Sequence, residues 1–357
     1  MLKDLVSVII GDNLDGFIRS ACRPSDSVPA GDDYRNNVQP DLHWHAFKKP
    51  GLTVTVFPGQ AYVLPVRGGS MVVPARDLVH NDAIKWSGSR KLLPDYPSLL
   101  LKGNDIDVWL VHYSEIVDER LLARMYDLLN EAERYKHARF YFKEDRKRYL
   151  VTRAMVRTVL SYYAMVAPSD WVFGTNAYGR PIIANKCPDA ATLSFNISHT
   201  LGLIAIAAGR ERELGIDIEN VAASEISPDL AGHFFSPQEA AALQELPPEQ
   251  RQQRFFEYWT FKESYIKARG MGLSLPLDGF TFQFPSDKEV RLTVSTELGD
   301  DGNRWHFRQY RPTAAHLLAL CAERRAGNPT VVTMRGMIPT VGYETLIPVL
   351  LKASDSD

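Results

Sequence analysis

Apolar residues at helical spacing mark the strongest predicted helix of the chain, residues 143–165. The spacing holds for Leu150, Met155, Val159 and Tyr162. Arginines occupy the remaining face, as in a helix that buries one stripe and leaves the other outside. The pattern therefore predicts a long helix packed against a core.

Weaker patterns predict shorter elements on either side. Helices are expected over about 118–130, from Pro237, and over Gln250–Ala268. The Gly209–Glu211 turn is predicted to join the strands before and after it into a hairpin. All predicted strands are alternating or wholly apolar runs, namely a run from near Asp105, Leu193–Ile197, Leu203–Ala208, Leu214–Glu219, Gly279–Phe284, Val290–Val294, Arg304–Tyr310 and Leu317–Cys321.

The order strand, helices, strands occurs twice along the chain. This repetition predicts an α+β fold of two similar halves, residues 104–210 and 211–325. A C-terminal segment, residues 326–357, follows, with a closing segment expected at Val341–Leu350.

The first hundred residues have a different character. Residues 1–103 are rich in glycine, proline and aspartate, with short β-like runs such as Leu52–Phe57 and Ala61–Val66. Turn signals separate these runs. We predict an N-terminal extension, β-rich or loosely ordered, whose role the sequence does not indicate.

Composition describes an ordinary globular protein. The 357 residues are 45% hydrophobic and 24% charged, and the net charge is -2, so no global charge attracts nucleic acid or a membrane. Cys22, Cys187 and Cys321 form neither a metal spacing nor a disulfide framework, which fits a reducing cytoplasm. The apolar run Leu5–Ile10 is too short for a signal peptide or a membrane span. We expect a cytoplasmic protein that binds neither membrane nor nucleic acid.

Two carboxylates alternate with isoleucines in Gly215–Glu219. Asp217 and Glu219 would share one face of the predicted strand. Carboxylates this close repel each other unless a cation lies between them. Mg²⁺ takes oxygen ligands and binds substrate phosphates, so the pair is a candidate magnesium site. A solvated strand end is the alternative.

Glu263 and Lys267 lie four residues apart on the helix predicted over Gln250–Ala268. An exposed salt bridge worth about 0.3 kcal/mol is the simpler interpretation. Phe255 and Trp259 nevertheless indicate that the helix is packed. A buried glutamate needs a partner, and a metal ion would supply one.

Polar and basic residues suited to phosphate lie in the first half. The run Phe195–Thr200 carries Asn, Ser, His and Thr side chains at a strand end, which can hold a phosphate. An ordinary turn with a hydrogen-bonded structural His199 is the alternative. Arg180 lies in the rigid turn Tyr178–Pro181. A basic stretch that forms either a solvated face or an anion pocket contains Lys136, Arg139, Arg146, Arg148, Arg153 and Arg157.

Together these motifs resemble the 4′-phosphopantetheinyl transferases, most closely the larger monomeric class that activates peptide and polyketide synthases. The resemblance covers about residues 105–325 in the family's order. The extension before it is not part of the family pattern. The motifs that carry the resemblance are Gly215–Glu219, Trp259–Lys267 and Phe195–His199, with weaker support from Phe140–Arg148, Tyr178–Pro181 and Gly270–Leu277.

The resemblance implies a pseudo-twofold fold with coenzyme A in the cleft between the halves. It implies that Asp217, Glu219 and Glu263 bind Mg²⁺, or Mn²⁺, at the pyrophosphate. Lys267 would contact the pyrophosphate and stabilise the leaving group. Glu239 matches an acidic position near the metal.

The resemblance also implies the residues that hold the nucleotide. Ser198, His199 and Arg148 would bind the 3′-phosphate end. Arg180 would lie near the adenine and the phosphates. Lys136 matches a further phosphate-contacting basic position.

The implied reaction transfers 4′-phosphopantetheine from coenzyme A to a serine of an acyl, aryl or peptidyl carrier protein. The serine hydroxyl attacks the β-phosphorus and expels 3′,5′-ADP, while Mg²⁺ and Lys267 offset the developing charge. Glu263 or a metal-bound hydroxide would take the serine proton, and the sequence leaves both open. A monomer is expected because one chain contains both halves.

Two other functions remain open at this point. A metal-dependent nuclease or phosphodiesterase also uses carboxylates and a lysine, although the charge shows no basic track for nucleic acid. A non-catalytic module that binds coenzyme A or a carrier protein would keep the fold. Such a module is expected to have gaps in its acidic triad, and this sequence has none.

Overall fold

The computed structural model describes residues 99–223, 231–327 and 329–354, together with the backbone of five short strands between Lys48 and Leu92. The predictions for Cys22, for Leu5–Ile10 and for most of the N-terminal extension lie outside the described residues. Within the described residues, no helix is both long enough and apolar enough to cross a bilayer.

Side chains cap the start of two neighbouring helices in the first half, whereas the two longest described helices begin without a side-chain cap. Asp118 caps the first helix by accepting a hydrogen bond from Arg120 N at 2.9 Å. Asn130 and Glu133 form a capping box at the second helix, and that helix was not predicted from the sequence. The described helices are α1 (Glu119–Asp127), α2 (Glu131–Ala138), α3 (Lys143–Ser161), α4 (Pro188–Ala191), α5 (Ala231–Phe234), α6 (Pro237–Gln244) and α7 (Pro248–Arg269).

The described strands include every strand predicted between Asp105 and Cys321. They are β1 (Lys48–Lys49), β2 (Leu52–Thr53), β3 (Ala61–Val66), β4 (Gly69–Pro74), β5 (Lys91–Leu92), β6 (Ile106–Val111), β7 (Phe173–Thr175), β8 (Pro181–Ile183), β9 (Leu193–Thr200), β10 (Leu203–Arg210), β11 (Leu214–Asn220), β12 (Phe280–Ser286), β13 (Glu289–Val294), β14 (Trp305–Thr313), β15 (His316–Glu323), β16 (Val332–Ile338), β17 (Gly342–Leu346) and β18 (Val349–Ala353). Strands β7, β8, β16, β17 and β18 were not predicted. The mixture of helices and sheets confirms the α+β class.

The strands before residue 83 belong to a compact unit of their own, residues 20–83. There β1 pairs with β2 and β3 pairs with β4, both antiparallel. The strand predicted at Ala61–Val66 is confirmed. The run predicted at Leu52–Phe57 is described as a strand only at Leu52–Thr53.

Two six-stranded sheets organise the described part of the larger unit. The first has the order β5-β17-β16-β6-β10-β9, and the second has the order β11-β15-β14-β18-β13-β12. The segment after residue 326 contributes to both, because β16 and β17 lie in the first sheet and β18 lies in the second. This segment therefore completes each sheet and is not merely a closing segment.

Alternating side chains give each sheet two buried faces. On β6, Trp109 and Val111 pack with α1 and α3, while Val108 and Leu110 face the second sheet. The outer face of the second sheet packs on α7 through an aromatic-rich cluster. The layers are helix, sheet, sheet and helix, and apolar side chains of both sheets form the core between the sheets. A pseudo-twofold relation between the halves stays a prediction.

The predicted hairpin of β10 and β11 is wrong. After β10 the chain crosses to the second sheet, where β11 pairs with β15. Arg212 fixes this crossing, because it donates one hydrogen bond to the carbonyl of Asn104 at 2.8 Å and another to the carbonyl of Glu323. Glu211 adopts a left-handed φ of 48° at the same turn.

Gly215 allows β11 to approach α7 more closely than any other residue would. A Cβ at this position would lie 2.0 Å from the carbonyl oxygen of Ser264 and 2.4 Å from the nitrogen of Ala268. Both are backbone atoms, so no side chain can move aside. The strand and helix that carry the predicted acidic residues are therefore in direct backbone contact.

We predict that Gly215→Ala separates β11 from α7 and lowers the free energy of unfolding by about 3 kcal/mol, the upper end for overpacking. Urea unfolding followed by circular dichroism measures this change. Gly232→Ala is the matched control, because Gly232 is an exposed residue of α5 with no atom near its Cβ position. Equal stability of the two variants would contradict the close approach.

Candidate functional site

The two strand carboxylates are buried. Asp217 is fully buried and Glu219 is 9% exposed. Lys267 Nζ donates to Asp217 Oδ1 at 2.7 Å, and Ser198 Oγ donates to the same oxygen at 3.0 Å. The alternative interpretation as a solvated strand end is therefore wrong.

Glu219 is held at both carboxylate oxygens. Trp259 Nε1 donates to Oε1 at 3.1 Å, and Thr200 Oγ1 donates to Oε2 at 3.4 Å. Burial raises the pKa of Glu219 well above its ordinary value, and the charge of Asp217 raises it further against the opposing effect of Lys267. Additional positive charge at this place would favour the ionised form.

Glu263 lies on α7 and is 2% exposed. Burial raises its pKa to about 8; the charge of Asp217 adds to the rise, while Lys267 opposes it. The ion pair of Lys267 is formed with Asp217. The alternative of an exposed salt bridge between Glu263 and Lys267 is therefore wrong.

The cluster has unused capacity for a cation. Among the described residues, neither Asp217 Oδ2 nor Glu263 Oε1 finds a hydrogen-bond partner, although both atoms are buried. An unpaired buried carboxylate oxygen is costly, and a hard divalent cation would satisfy both oxygens. Across the ranges that the structure describes, no three acidic, histidine or cysteine side chains are placed so that they could hold a metal ion together. The ammonium of Lys267 supplies the positive charge beside Asp217.

Ser198 and His199 follow each other in β9 and so lie on opposite faces of the strand. Ser198 Oγ accepts hydrogen bonds from Lys267 Nζ at 3.0 Å and from Ile218 N at 3.2 Å, besides donating to Asp217. His199 is half-buried. The structure thus groups Ser198 with the carboxylates, and a shared role with His199 in holding a phosphate stays a prediction.

Lys136 and Arg148 lie where α2 meets α3. Lys136 Nζ is 5.5 Å from the ring centroid of Tyr149, and Arg148 forms an ion pair of 2.9 Å with Asp145. Both cationic side chains are half-buried. Their partial exposure suits contact with an anion, and that role stays a prediction.

Two arginines of the basic stretch are structural. Arg153 and Arg157 are buried, and each forms an ion pair with Glu133, at 2.6 and 2.7 Å. Arg157 also donates to the carbonyls of Pro168 and Trp171. Neither a solvated face nor an anion pocket describes these two side chains, because a buried ion pair uses their charge.

Arg180 clamps the C-terminal end of α7. Its NH1 group donates to the carbonyls of Lys267 and Ala268, and its NH2 group donates to that of Leu214, each at 2.9 Å. Burial lowers the pKa of this guanidinium. The side chain thus joins helix and strand beside the carboxylates, and its predicted contact with adenine or phosphate stays a prediction.

Glu239 has a structural role. Its Oε2 atom accepts from Ser236 N at 2.8 Å and pairs with Lys262 Nζ at 2.8 Å. Its Oε1 atom accepts from Phe282 N at 2.7 Å. The expectation of an acidic residue near the metal is corrected, because both oxygens are already used.

Thr200 contacts the acidic cluster through Glu219, and this contact was not predicted from the sequence. Asn196, Ser198 and Thr200 alternate along β9 with the same period of two as Asp217 and Glu219 on β11. This shared alternation was the sequence signal for the contact. It could not be used without knowing that β9 and β11 lie side by side, which the structure shows.

We predict that Glu263→Gln reduces the pH dependence of stability. The pKa of Glu263 is raised to about 8 in the folded protein, against about 4.3 in an unfolded chain. The folded state therefore retains the proton, and this group's contribution to stability is lost as the pH rises between those values. From about pH 5.5 to about pH 8.5, the variant should lose less stability than the wild type.

Urea unfolding in the presence of a metal chelator measures this difference. Glu249→Gln is the matched control, since Glu249 is exposed near the start of the same helix. That control should keep the pH dependence of the wild type. Parallel pH profiles for wild type and Glu263→Gln would contradict the buried, protonated carboxyl.

Two protein-family models match the chain side by side. Residues 213–321 match the 4′-phosphopantetheinyl transferase superfamily. Residues 118–211 match the model described as 4′-phosphopantetheinyl transferase, N-terminal. The boundary between the matches falls at the crossing from β10 to β11.

Several similar proteins carry the same name. 4′-Phosphopantetheinyl transferase Sfp of Bacillus subtilis strain 168 is 35% identical over 224 residues, which are 63% of this chain and 92% of that protein. A 4′-phosphopantetheinyl transferase of Bacillus subtilis is 37% identical over 199 residues, 56% of this chain and 84% of the relative. 4′-Phosphopantetheinyl transferase HetI of Nostoc sp. is 35% identical over 182 residues, which are 51% of this chain and 76% of HetI. The chain therefore belongs to the 4′-phosphopantetheinyl transferases and is an enzyme of the Sfp-like type.

Proposed function

We propose that this enzyme transfers 4′-phosphopantetheine from coenzyme A to a serine of an apo carrier protein, acyl, aryl or peptidyl. The serine oxygen forms a bond to the β-phosphorus of coenzyme A, and the bond from that phosphorus to the bridging oxygen breaks. The products are the holo carrier protein and 3′,5′-ADP. The proton of the serine passes to a base in the site.

The buried acidic cluster carries this proposal. Asp217, Glu219 and Glu263 lie around a single lysine, Lys267, and two of the carboxylate oxygens have no hydrogen-bond partner within the described residues. Such an arrangement costs stability in an empty site and suits a site that binds a cation. Function explains why the chain keeps three carboxylates where an apolar residue would pack more favourably.

A divalent cation, Mg²⁺ with Mn²⁺ as substitute, would be held by Asp217, Glu219 and Glu263. When bound, it supplies positive charge that neutralises the pyrophosphate of coenzyme A. The two unpartnered oxygens, on Asp217 and Glu263, fit this role.

Lys267 and Glu263 are proposed as the catalytic residues. The ammonium of Lys267 lies 2.7 Å from Asp217 Oδ1 and would contact the pyrophosphate, where it offsets charge on the departing oxygen. Burial raises the pKa of Glu263 to about 8, and the positive charge of a bound cation would lower it again and favour the carboxylate. In that ionised form Glu263 would accept the serine proton.

The nucleotide end of coenzyme A would bind along the cationic side of the first half. Lys136 and Arg148 keep partly exposed side chains there. Arg148, Ser198 and His199 would hold the 3′-phosphate. Lys136 would contact a further phosphate, and Arg180 would lie near the adenine and the phosphates. Charge-assisted hydrogen bonds to phosphate are the strong contacts in such a pocket.

The two halves of the chain have similar layers. Each half places a long helix, α3 or α7, over one face of a six-stranded sheet, which supports a pseudo-twofold relation with coenzyme A between the halves. Both halves lie in one chain, so the active enzyme would be a monomer. We assign residues 1–103 to an N-terminal extension whose last part joins the first half, because β5 pairs with β17 of the first sheet and Leu101 lies in the adjoining core.

Intact-mass spectrometry tests the reaction directly. An apo carrier protein incubated with the enzyme, coenzyme A and Mg²⁺ should gain the mass of phosphopantetheine, and a chelator should prevent the gain. The absence of a gain on acyl, aryl and peptidyl carriers would contradict the proposal. A gain that persists in chelator would remove the metal from it.

We predict that Glu263→Gln lowers turnover by at least about a hundredfold, the usual contribution of a general base. Without metal the melting temperature should not fall, because glutamine keeps the volume of the side chain and removes the cost of ionising a buried carboxyl. Glu249→Gln is again the control and should retain full turnover. A large loss of melting temperature at nearly normal turnover would instead make Glu263 a structural residue.

We predict that Arg148→Ala raises the apparent KM for coenzyme A about tenfold, the value of a lost charge-assisted hydrogen bond. The KM for the carrier protein should change less. Arg120→Ala, at an exposed arginine of α1, controls for the loss of one positive charge. An unchanged KM for coenzyme A would exclude Arg148 from the pocket.

A further inference from the structure

The two sheets meet at their edge strands, β9 and β11, where side chains replace backbone pairing. Backbone N–H groups of β11 donate to side chains of β9 at three successive levels. Ile216 N donates to Asn196 Oδ1 at 2.9 Å, and Ile218 N donates to Ser198 Oγ at 3.2 Å. In the third hydrogen bond the donor and the acceptor each lie two residues further along their strands.

The third level involves Thr200. Asn220 N donates to Thr200 Oγ1 at 3.1 Å. In all three bonds the donor lies 20 positions after the acceptor residue, so the strands run in the same direction with a constant register. The other edge of β11 is occupied by antiparallel pairing with β15. The side chains of β9 therefore satisfy the N–H groups that this pairing leaves free.

Two of these side chains have a second bond, to an acidic residue. Ser198 Oγ donates to Asp217 Oδ1 at 3.0 Å, and Thr200 Oγ1 donates to Glu219 Oε2 at 3.4 Å. A hydroxyl has one proton, and a backbone N–H that points at its oxygen turns that proton toward another acceptor. Each hydroxyl thus ties a carboxylate to the register of the two strands.

Asn196 sets the same register without touching a carboxylate. Asn196 lies opposite Gly215 of β11, which has no side chain, and its Oδ1 atom accepts a hydrogen bond from the backbone N–H of Ile216. Asn196, Ser198 and Thr200 are all less than 9% exposed. Water therefore has little access to replace these hydrogen bonds.

We propose that Thr200 and Asn196 are positioning residues that orient Glu219 and Asp217 for the divalent cation. The inference rests on the proposed function, because it concerns the same site. Groups that hydrogen-bond a metal ligand fix its orientation and charge, and their loss typically weakens metal affinity by about 10- to 100-fold. Thr200 acts through Glu219, and Asn196 acts through the position of β11.

Thr200→Val removes the hydroxyl and keeps the shape of the side chain. Glu219 then retains its bond from Trp259 and loses the one from Thr200. We expect the dissociation constant for Mn²⁺, measured in the absence of substrate by electron paramagnetic resonance of free Mn²⁺, to rise about tenfold. Thr200→Ser restores the hydroxyl and should return the constant to within about twofold of the wild type.

Thr158→Val is the matched control. Thr158 is a buried residue of α3, and its hydroxyl has no hydrogen-bond partner among the described residues. The same substitution there removes the same atoms without touching the carboxylates. Its Mn²⁺ affinity should equal that of the wild type.

Asn196→Ala provides a second test, which also applies if Thr200→Val fails to fold. It leaves every carboxylate and hydroxyl in place and should raise the Mn²⁺ dissociation constant about threefold, less than the loss of a direct contact. Wild-type Mn²⁺ affinity in the folded Thr200→Val and Asn196→Ala variants would overturn the inference. Thr200→Ser as weak as Thr200→Val would also overturn it.

The outcome is separable from that of the proposed function. If the wild-type enzyme transfers phosphopantetheine and binds Mn²⁺, and Thr200→Val and Asn196→Ala bind Mn²⁺ equally well, only the positioning roles are refuted. A wild-type enzyme that neither binds Mn²⁺ nor modifies a carrier protein would refute both.

Discussion

The backbone of β11 touches the backbone of α7 at Gly215, and the acidic cluster depends on that contact. A Cβ at Gly215 would lie 2.0 Å from Ser264 O. Asp217 lies two residues after Gly215 on the strand, and Lys267 lies three residues after Ser264 on the helix. Their charged groups therefore meet, with Lys267 Nζ 2.7 Å from Asp217 Oδ1. Side chains of β9 hold the strand from its other edge. The site is thus the junction of two sheets and one helix.

The junction holds three carboxyl groups and one ammonium group, and this excess of acid connects stability with function. Asp217, Glu219 and Glu263 are buried around Lys267, and burial raises the pKa of both glutamates. Ionising these glutamates without a further cation would destabilise the fold. The cation and the pyrophosphate proposed here would complete the charged cluster, so the enzyme would gain stability when it binds what it acts on.

Long periodic elements and the acidic motifs could be predicted from the sequence, because period and spacing are local properties. The helix carrying Glu263 and the strand carrying Asp217 are where the sequence places them. The partners of β11 could not be predicted, since they depend on a crossing fixed by Arg212 through contacts more than a hundred residues away. For the same reason Arg180 and Glu239, basic and acidic residues in motif positions, had structural contacts that spacing alone does not reveal.

Anomalous diffraction from crystals grown with Mn²⁺ and coenzyme A tests the central claim, that this junction is a metal site for pyrophosphate. We predict one strong manganese peak about 2.1 Å from oxygens of Asp217 and Glu263, with the pyrophosphate beside it. Lys267 should then have moved from Asp217 Oδ1 toward the phosphates. A manganese peak elsewhere, with Lys267 still paired to Asp217, would contradict the account.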